Sequence, residues 1–370
     1  MVDIQRVRGR ADLRRFIDYA YERNRADAHW IPPLRLSERD RLRPRTNPFF
    51  AHAEVELLLA KRNGRVVGRI AAIDDRLHNE THRDNLAAFG FFEADDAESA
   101  AALLGAVEAW ARQRGRAAVR GPLNPSLNES AGLLIDGFDH DPMVMMPHNP
   151  RDYAAYIELA GYSKAKDLFA WLYQISAGVG PKIARIARQF ADRERVVVRR
   201  LELREFDGEV ERLRAIYCTA WERNWGFVAP TDAEFRRIAK ELRPIFDPRC
   251  AVIAEVDGQA VACAVAVPDV NQALKGTGGR LFPLGIPRLL MRRRLIDQAR
   301  LLLVGVVSRY RRPGLFALMM QSLHRQLIDT EYRRLEFSWV LEDNRDVNRP
   351  AEQVGSVRYK TYRIYQKSLT

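Results

Sequence analysis

Two tight-turn hairpins set 194 residues apart constrain this chain more than any other feature. Ala53–Ala60, Asn63-Gly64 and Arg65–Ile73 read as two strands joined by a two-residue turn, because Asn-Gly accepts the positive φ angles that such a turn requires. Ala251–Val256, Asp257-Gly258 and Gln259–Val267 repeat the device. A second pair keeps the same offset: helical stretches ending at Gly161-Tyr162 and at Gly355-Ser356, each running into an aromatic-rich strand. Two agreeing offsets predict a duplicated domain.

Each half then reads in the same order. A helix (Asp12–Asn24; Gly208–Trp225) precedes the hairpin, and a third strand (Leu86–Glu93; Leu301–Ser308) follows it. Next come a helix (Asp95–Arg114; Gly314–Thr330), a fourth strand (Ala117–Gly121; Leu335–Leu341), a short helix and a terminal strand. Gly178–Arg195, with Pro181 near its start, reads as a connecting helix. The expected domains are 1–176 and 201–370, joined by 177–200.

Composition narrows the classes. With 370 residues and 47% hydrophobic side chains the chain can bury two cores. Sixty Lys and Arg against 48 Asp and Glu leave a net charge of +12, which suits nucleic acid, an anionic membrane face or a phosphorylated ligand. The apolar stretch Leu301–Val307 is too short to span a bilayer, and no apolar segment follows the basic N-terminus. The expected location is cytoplasmic, with peripheral contact at the inner membrane face left open. Cys218, Cys250 and Cys263 form no CxxC pair, so they read as buried thiols rather than a disulfide or zinc set. His78 and His82 flank what reads as a loop, and no metal site is expected.

The sharpest local signal is Leu303–Met320, LVGVVSRYRRPGLFALMM. A buried strand passes through Arg309, Arg311 and Arg312, turns at Gly314 and enters an apolar helix. Backbone N–H groups and guanidinium groups at such a turn suit an anion, although a solvated basic turn has the same sequence.

These residues resemble the acyl-CoA cradle of the GNAT superfamily of N-acyltransferases. Arg311, Arg312, Pro313, Gly314 and Leu315 fill its Arg/Gln-x-x-Gly-x-Gly/Ala pattern in order, Phe316 stands at the last position, and Pro313 removes one N–H donor. The resemblance implies an α/β (α+β) fold of two tandem GNAT-like domains, each with a mixed, mostly antiparallel sheet flanked by helices. It implies acyl-CoA as co-substrate, no tightly bound cofactor, and an oxyanion donor at the Val306 or Val307 N–H. Asn344 would lie beside the pantetheine arm where two strands splay apart. Ala351 stands where the family often has a tyrosine acid, so Tyr359 and Tyr362 are the candidate substitutes. The first half carries Asp95 and Asp96 in place of the cradle, so it supplies architecture or part of the acceptor pocket.

Amine acylation needs a base, and Glu222, Asp269 and Glu342 are the candidates. Trp221, Trp225 and Phe227 lie in the region that shapes acceptor pockets in the resembled family, and the turn-rich stretch holding Asn124 and Asn128 is a second candidate lining. Leu281–Leu302 interleaves apolar residues with Arg288, Arg292, Arg293 and Arg294, which suits a membrane surface or a lipid entrance. The expected function is transfer of an acyl group from acyl-CoA to an amine, such as the long-chain sphingoid base used by the similar bacterial ceramide synthases. The alternatives are an aminoacyl-tRNA-dependent FemABX-like transferase, a small-amine acetyltransferase, or a binding module without catalysis. Nucleic acid is not favoured as a partner.

Overall fold

The computed structural model describes residues 1–191, 196–311 and 313–369. They form two compact units: Met1–Leu168 with Lys275–Leu284 and Lys360 onward, and Phe169–Leu274 with Gly285–Tyr359.

The first unit runs through β1 (Asp3–Arg6), α1 (Gly9–Arg23), α2 (Arg35–Arg41), β2 (Ala53–Arg62), β3 (Arg65–Asp75) and α3 (Arg76–His82). It continues with β4 (Leu86–Ala94), α4 (Ala97–Gln113), β5 (Ala118–Gly121), the short pair β6 (Leu123–Asn124) and β7 (Ser130–Ala131), β8 (Leu133–Asp136) and α5 (Tyr153–Leu159). β9 (Ser163–Gln174) leaves the first unit and enters the second. The second unit then holds α6 (Pro181–Ala191), β10 (Val196–Arg200), α7 (Phe206–Trp221), α8 (Asp232–Leu242), β11 (Ala251–Val256), β12 (Gln259–Pro268) and α9 (Val270–Leu274). After α10 (Gly285–Leu290) and α11 (Arg292–Leu295) come β13 (Gln298–Val306), α12 (Pro313–Leu327), β14 (Arg334–Leu341), α13 (Arg345–Gln353) and β15 (Val357–Ser368).

The hairpins form as their turn residues dictate: Asn63 and Gly64 sit at φ 51° and 79°, Asp257 and Gly258 at 50° and 75°. In each unit the hairpin starts an antiparallel ladder that ends in one parallel pair. β1, β2, β3 and β4 run antiparallel and β4 pairs β5 in parallel. β10, β11, β12 and β13 run antiparallel and β13 pairs β14 in parallel. The same plan in both halves is the duplicated GNAT-type fold that the offsets and the resemblance predict.

Phe89, Leu103, Val107 and Tyr365 meet in the first core, and Ile216, Tyr217, Ile253 and Leu303 in the second. Tyr365 belongs to the terminal strand. The expected domain 201–370 is divided: residues from Lys360 onward belong to the first unit, because β15 pairs antiparallel with β5 and with β8 there. One local expectation changes. His78 and His82 lie on helix α3, not in a loop, with ring centroids 4.8 Å apart, and no metal-holding cluster occurs among the described residues. The arginine-rich insertion folds as two short helices, α10 and α11, broken at Met291.

Candidate active site

Each parallel pair opens into a wedge, and the two wedges differ. In the first unit the β4–β5 ladder runs from Leu86↔Ala118 to Ala88↔Arg120, and a bulge follows in β4 at Phe91, whose φ is 50°. β6 fills that wedge. A Cβ on Gly90 would overlap the Leu123 carbonyl, and Asn124 Oδ1 accepts the Phe91 N–H at 2.5 Å. Asn124 therefore plugs the first wedge and satisfies its bulge, which is a structural duty and not the pocket-lining one expected. The N-terminus of α4 is also occupied from within. Asp96 accepts the Ser99 N–H at 2.8 Å and pairs with Arg62 at 2.7 Å, while Asp95 accepts from Tyr19 at 2.7 Å.

In the second unit the wedge is open. β13 and β14 pair from Gln298↔Arg334 to Leu301↔Phe337 and then diverge, and β13 carries a bulge at Leu302. A cavity of about 460 Å³ fills the gap. Leu302, Val304, Phe316, Met320, Phe337 and Val354 give it apolar walls, and Ile183 and Ile186 of α6 close one side. Trp221 and Trp339 both line it, with ring centroids 6.0 Å apart, and Trp221 Nε1 donates to Val304 O at 3.2 Å. That bond turns the Val304 carbonyl toward the wedge. The Val307 N–H donates the other way, to Val261 O on β12 at 2.9 Å. Alternation along the strand therefore aims the Val306 N–H into the wedge, as an oxyanion donor must be aimed.

Charge gathers around the mouth. Arg311, Asn344, Arg345, Asp346 and Arg349 line it, and Asn344 leads directly into α13. Arg345 and Arg349 escaped the sequence reading, although their i, i+4 spacing after Asn344 places both on one helix face. Ser338 is the one hydroxyl side chain among the described lining residues. It stands just beyond the last ladder pair and is bonded to buried Arg300 and Glu336, which in turn accepts from Tyr359. A glutamate and a serine two apart in an otherwise apolar strand, Leu335–Leu341, were the signal for this cluster.

The other expected site residues fall as follows. Arg312 lies outside the described residues. Arg309 is exposed and donates to Gln259 at 2.8 Å, away from the cavity lining. Gly314 is buried, and a Cβ there would meet the Phe190 ring and its Cβ at 2.6 and 2.7 Å. The glycine is needed for the close approach of α6. Leu315 is buried beside it.

Among the candidate bases, Glu222 is exposed at the end of α7. Asp269 is 1% exposed and accepts from Asn271 N–H and Gln298 Nε2 at the start of α9. Glu342 offers its backbone carbonyl to Asn348 at 3.3 Å. None of the three lines the cavity. Trp225 is half-buried, Phe227 packs edge-on to Tyr217 in the second core, and Asn128 lies in the first unit. Tyr362 is fully buried in the first unit, where the register sets it opposite Leu134 on β8. The cysteines stay out of the chemistry, since burial pushes the Cys263 thiol up to about 12 and Cys250 and Cys218 upward as well.

No protein-family model matches the chain. Two named proteins are similar along nearly all of it. The bacterial ceramide synthase of Caulobacter vibrioides is 40% identical over 371 residues, covering 98% of this chain and 96% of that protein. Protein YghO of Escherichia coli is 36% identical over 366 residues, 97% of this chain and 93% of that one. Among solved structures, a tandem GNAT protein from the clavulanic acid biosynthesis pathway superposes with a TM-score of 0.60 at 12% identity, over 100% of this chain and 99% of that one. A GCN5-related N-acetyltransferase from Sphaerobacter thermophilus gives 0.52 at 12% identity, over 100% and 96%.

Proposed function

This chain belongs to the family of the Caulobacter vibrioides bacterial ceramide synthase and is an acyltransferase of tandem GNAT fold, and from that premise we propose that it transfers a long acyl chain from acyl-CoA to a lipid amine. The observation that carries this reading is the open wedge between β13 and β14, apolar inside and basic at its mouth. An acyl tail and pantetheine arm suit the apolar walls, and the thioester carbonyl then lies against the Val306 N–H. The phosphates suit Arg311, Arg345 and Arg349. Holding donor and amine together converts a bimolecular encounter into a local one.

The acceptor side of the proposal rests on the relative's name and on the insertion. Leu290 is 82% exposed, Met291 48% and Leu295 37%, and Arg293 and Arg294 are exposed beside them. Apolar and cationic groups in that alternation suit an anionic bilayer, from which a lipid amine is drawn. Among the described residues no helix is long and apolar enough to cross a membrane, so the proposed contact is peripheral.

The test is direct. Purified protein is incubated with acyl-CoAs of graded length and with a sphingoid base or short amines, and amide products are read by mass spectrometry. Long-chain acyl-CoA and the sphingoid base should give the N-acyl product. Turnover restricted to acetyl-CoA and small amines, or an amide formed only with aminoacyl-tRNA, overturns the reading.

A further inference from the structure

The candidate bases named from the sequence do not line the cavity, so the proton released by the amine must go elsewhere. The ladder register answers this. Arg300 on β13 and Glu336 on β14 are cross-strand partners, and Ser338 follows two residues on, which in a strand returns it to the same face. The side chains are 2%, 0% and 6% exposed in that order. Ser338 Oγ donates to Glu336 Oε1 and receives Arg300 Nε at 2.7 Å, and Arg300 Nη2 also holds the Ser338 carbonyl at 3.1 Å. Tyr359 at the start of β15 donates to the other oxygen, Glu336 Oε2. Arg300 Nε lies 3.9 Å from Glu336 Oε1. Two hydroxyl donors and a guanidinium thus surround the fully buried Glu336 carboxyl and supply the partners that a polar group out of reach of water needs. Of this cluster only Ser338 lines the cavity, at the point where the strands part.

We infer that Ser338 is the catalytic hydroxyl of this site, passing the amine proton to Glu336, with Arg300 and Tyr359 as positioning residues. The inference rests on the cavity being the acyl-transfer site. The amine lone pair forms the C–N bond while the carbonyl pair moves to oxygen, facing the Val306 N–H. The surplus proton on nitrogen passes to Ser338 Oγ as the serine proton passes to Glu336. Collapse of the intermediate breaks the C–S bond, and the thiolate takes its proton back along the same line, from Glu336 through Ser338. One proton has moved from nitrogen to sulfur, and Glu336 ends as the carboxylate it began. Tyr359, expected to protonate the thiolate itself, acts instead through Glu336.

The experiment measures kcat and KM for amide formation from long-chain acyl-CoA and sphingoid base, with thermal melting of each variant. Ser338→Ala should lower kcat about 10²-fold or more, the usual scale of acid–base assistance, with KM for the donor little changed. Ser338→Thr, which keeps the hydroxyl, should restore most of it. The groups that face Glu336 among the described residues are Ser338, Arg300 and Tyr359. Tyr359→Phe removes one of the two hydroxyl donors to Glu336 without touching the cavity lining, so it should lower kcat with KM for the donor little changed. A merely structural tyrosine would leave kcat in place, and such a result overturns the relay. Retention of kcat within about 3-fold in Ser338→Ala, while Asp346→Asn abolishes it, gives the base role to Asp346 and overturns the inference alone. A wild-type chain that forms no amide overturns this inference together with the function it rests on.

Discussion

Two glycines show how a single missing Cβ decides what a wedge can hold. Gly90 lets the Leu123 carbonyl enter the first wedge, and Gly314 lets the Phe190 ring lie on the first turn of α12. A backbone carbonyl cannot swing aside, whereas a ring can. Gly314→Ala should therefore destabilise the second unit by about 1–3 kcal/mol, the usual cost of overpacking. Adding Phe190→Ala should give a double variant less destabilised than the sum of the two singles, because the clash is shared between them. Urea denaturation of the four chains checks this. The same residue bears on donor binding: if the Phe190 ring limits access to the Gly314 and Leu315 N–H groups, Phe190→Ala lowers KM for acyl-CoA and leaves kcat alone. An unchanged KM would place the phosphates wholly on the arginines of the mouth.

At the scale of the element, the equivalent helices α4 and α12 have diverged at their first turns. α4 is closed by a capping box, in which the Asp96 carboxylate takes the Ser99 N–H and Ser99 Oγ takes the Asp96 N–H at 3.2 Å. The Arg62 guanidinium and the helix N–H groups hold the Asp96 carboxyl well below the usual carboxylate range. Asp96→Ala should cost about 1 kcal/mol near neutral pH, as N-cap deletions do. A carboxylate depressed by folding stabilises above its unfolded pKa and loses that contribution as protonation sets in. The deficit of the variant relative to the wild type should therefore shrink as pH falls below about 4, and melting curves from pH 7 downward measure it. A deficit independent of pH would mean that Asp96 acts through packing alone.

For the whole molecule, the chain ends are not independent of the fold. Lys360, Tyr362, Ile364 and Tyr365 are each 0% exposed in the first unit, and Lys360 Nζ donates to the carbonyls of His140 and Asp141 at 2.9 and 2.8 Å. A chain stopped after Tyr359 should lose cooperative melting of the first unit, because four fully buried side chains leave together. Retention of two-unit melting would show that those residues only decorate the core. The net charge of +12 acts at the same scale. Arg293→Glu with Arg294→Glu should weaken sedimentation with anionic vesicles and flatten its salt dependence, each lost cation being worth about 1 kcal/mol at such a surface. Binding to neutral vesicles should change little. Equal loss on both kinds of vesicle would assign the contact to the exposed leucines instead.

The duplication, the hairpins and their turn type, and the strand–helix order were legible from local chemistry, since Asn-Gly and Asp-Gly and the apolar periodicities act within a few residues. Val306, Arg311, Asn344 and Trp221 were named through the resemblance to the GNAT superfamily, and all four line the cavity. What only the tertiary structure decided is which wedge is open and which groups face it. Asn124 became a plug because β6 folds back over Gly90, and Gly314 met Phe190 because α6 packs on α12, both contacts across long stretches of chain. The Arg300–Glu336–Ser338 cluster depends on the register of two strands whose partners lie 36 residues apart. Register is a property of the assembled sheet, since one residue of slip would turn every one of those side chains to the opposite face.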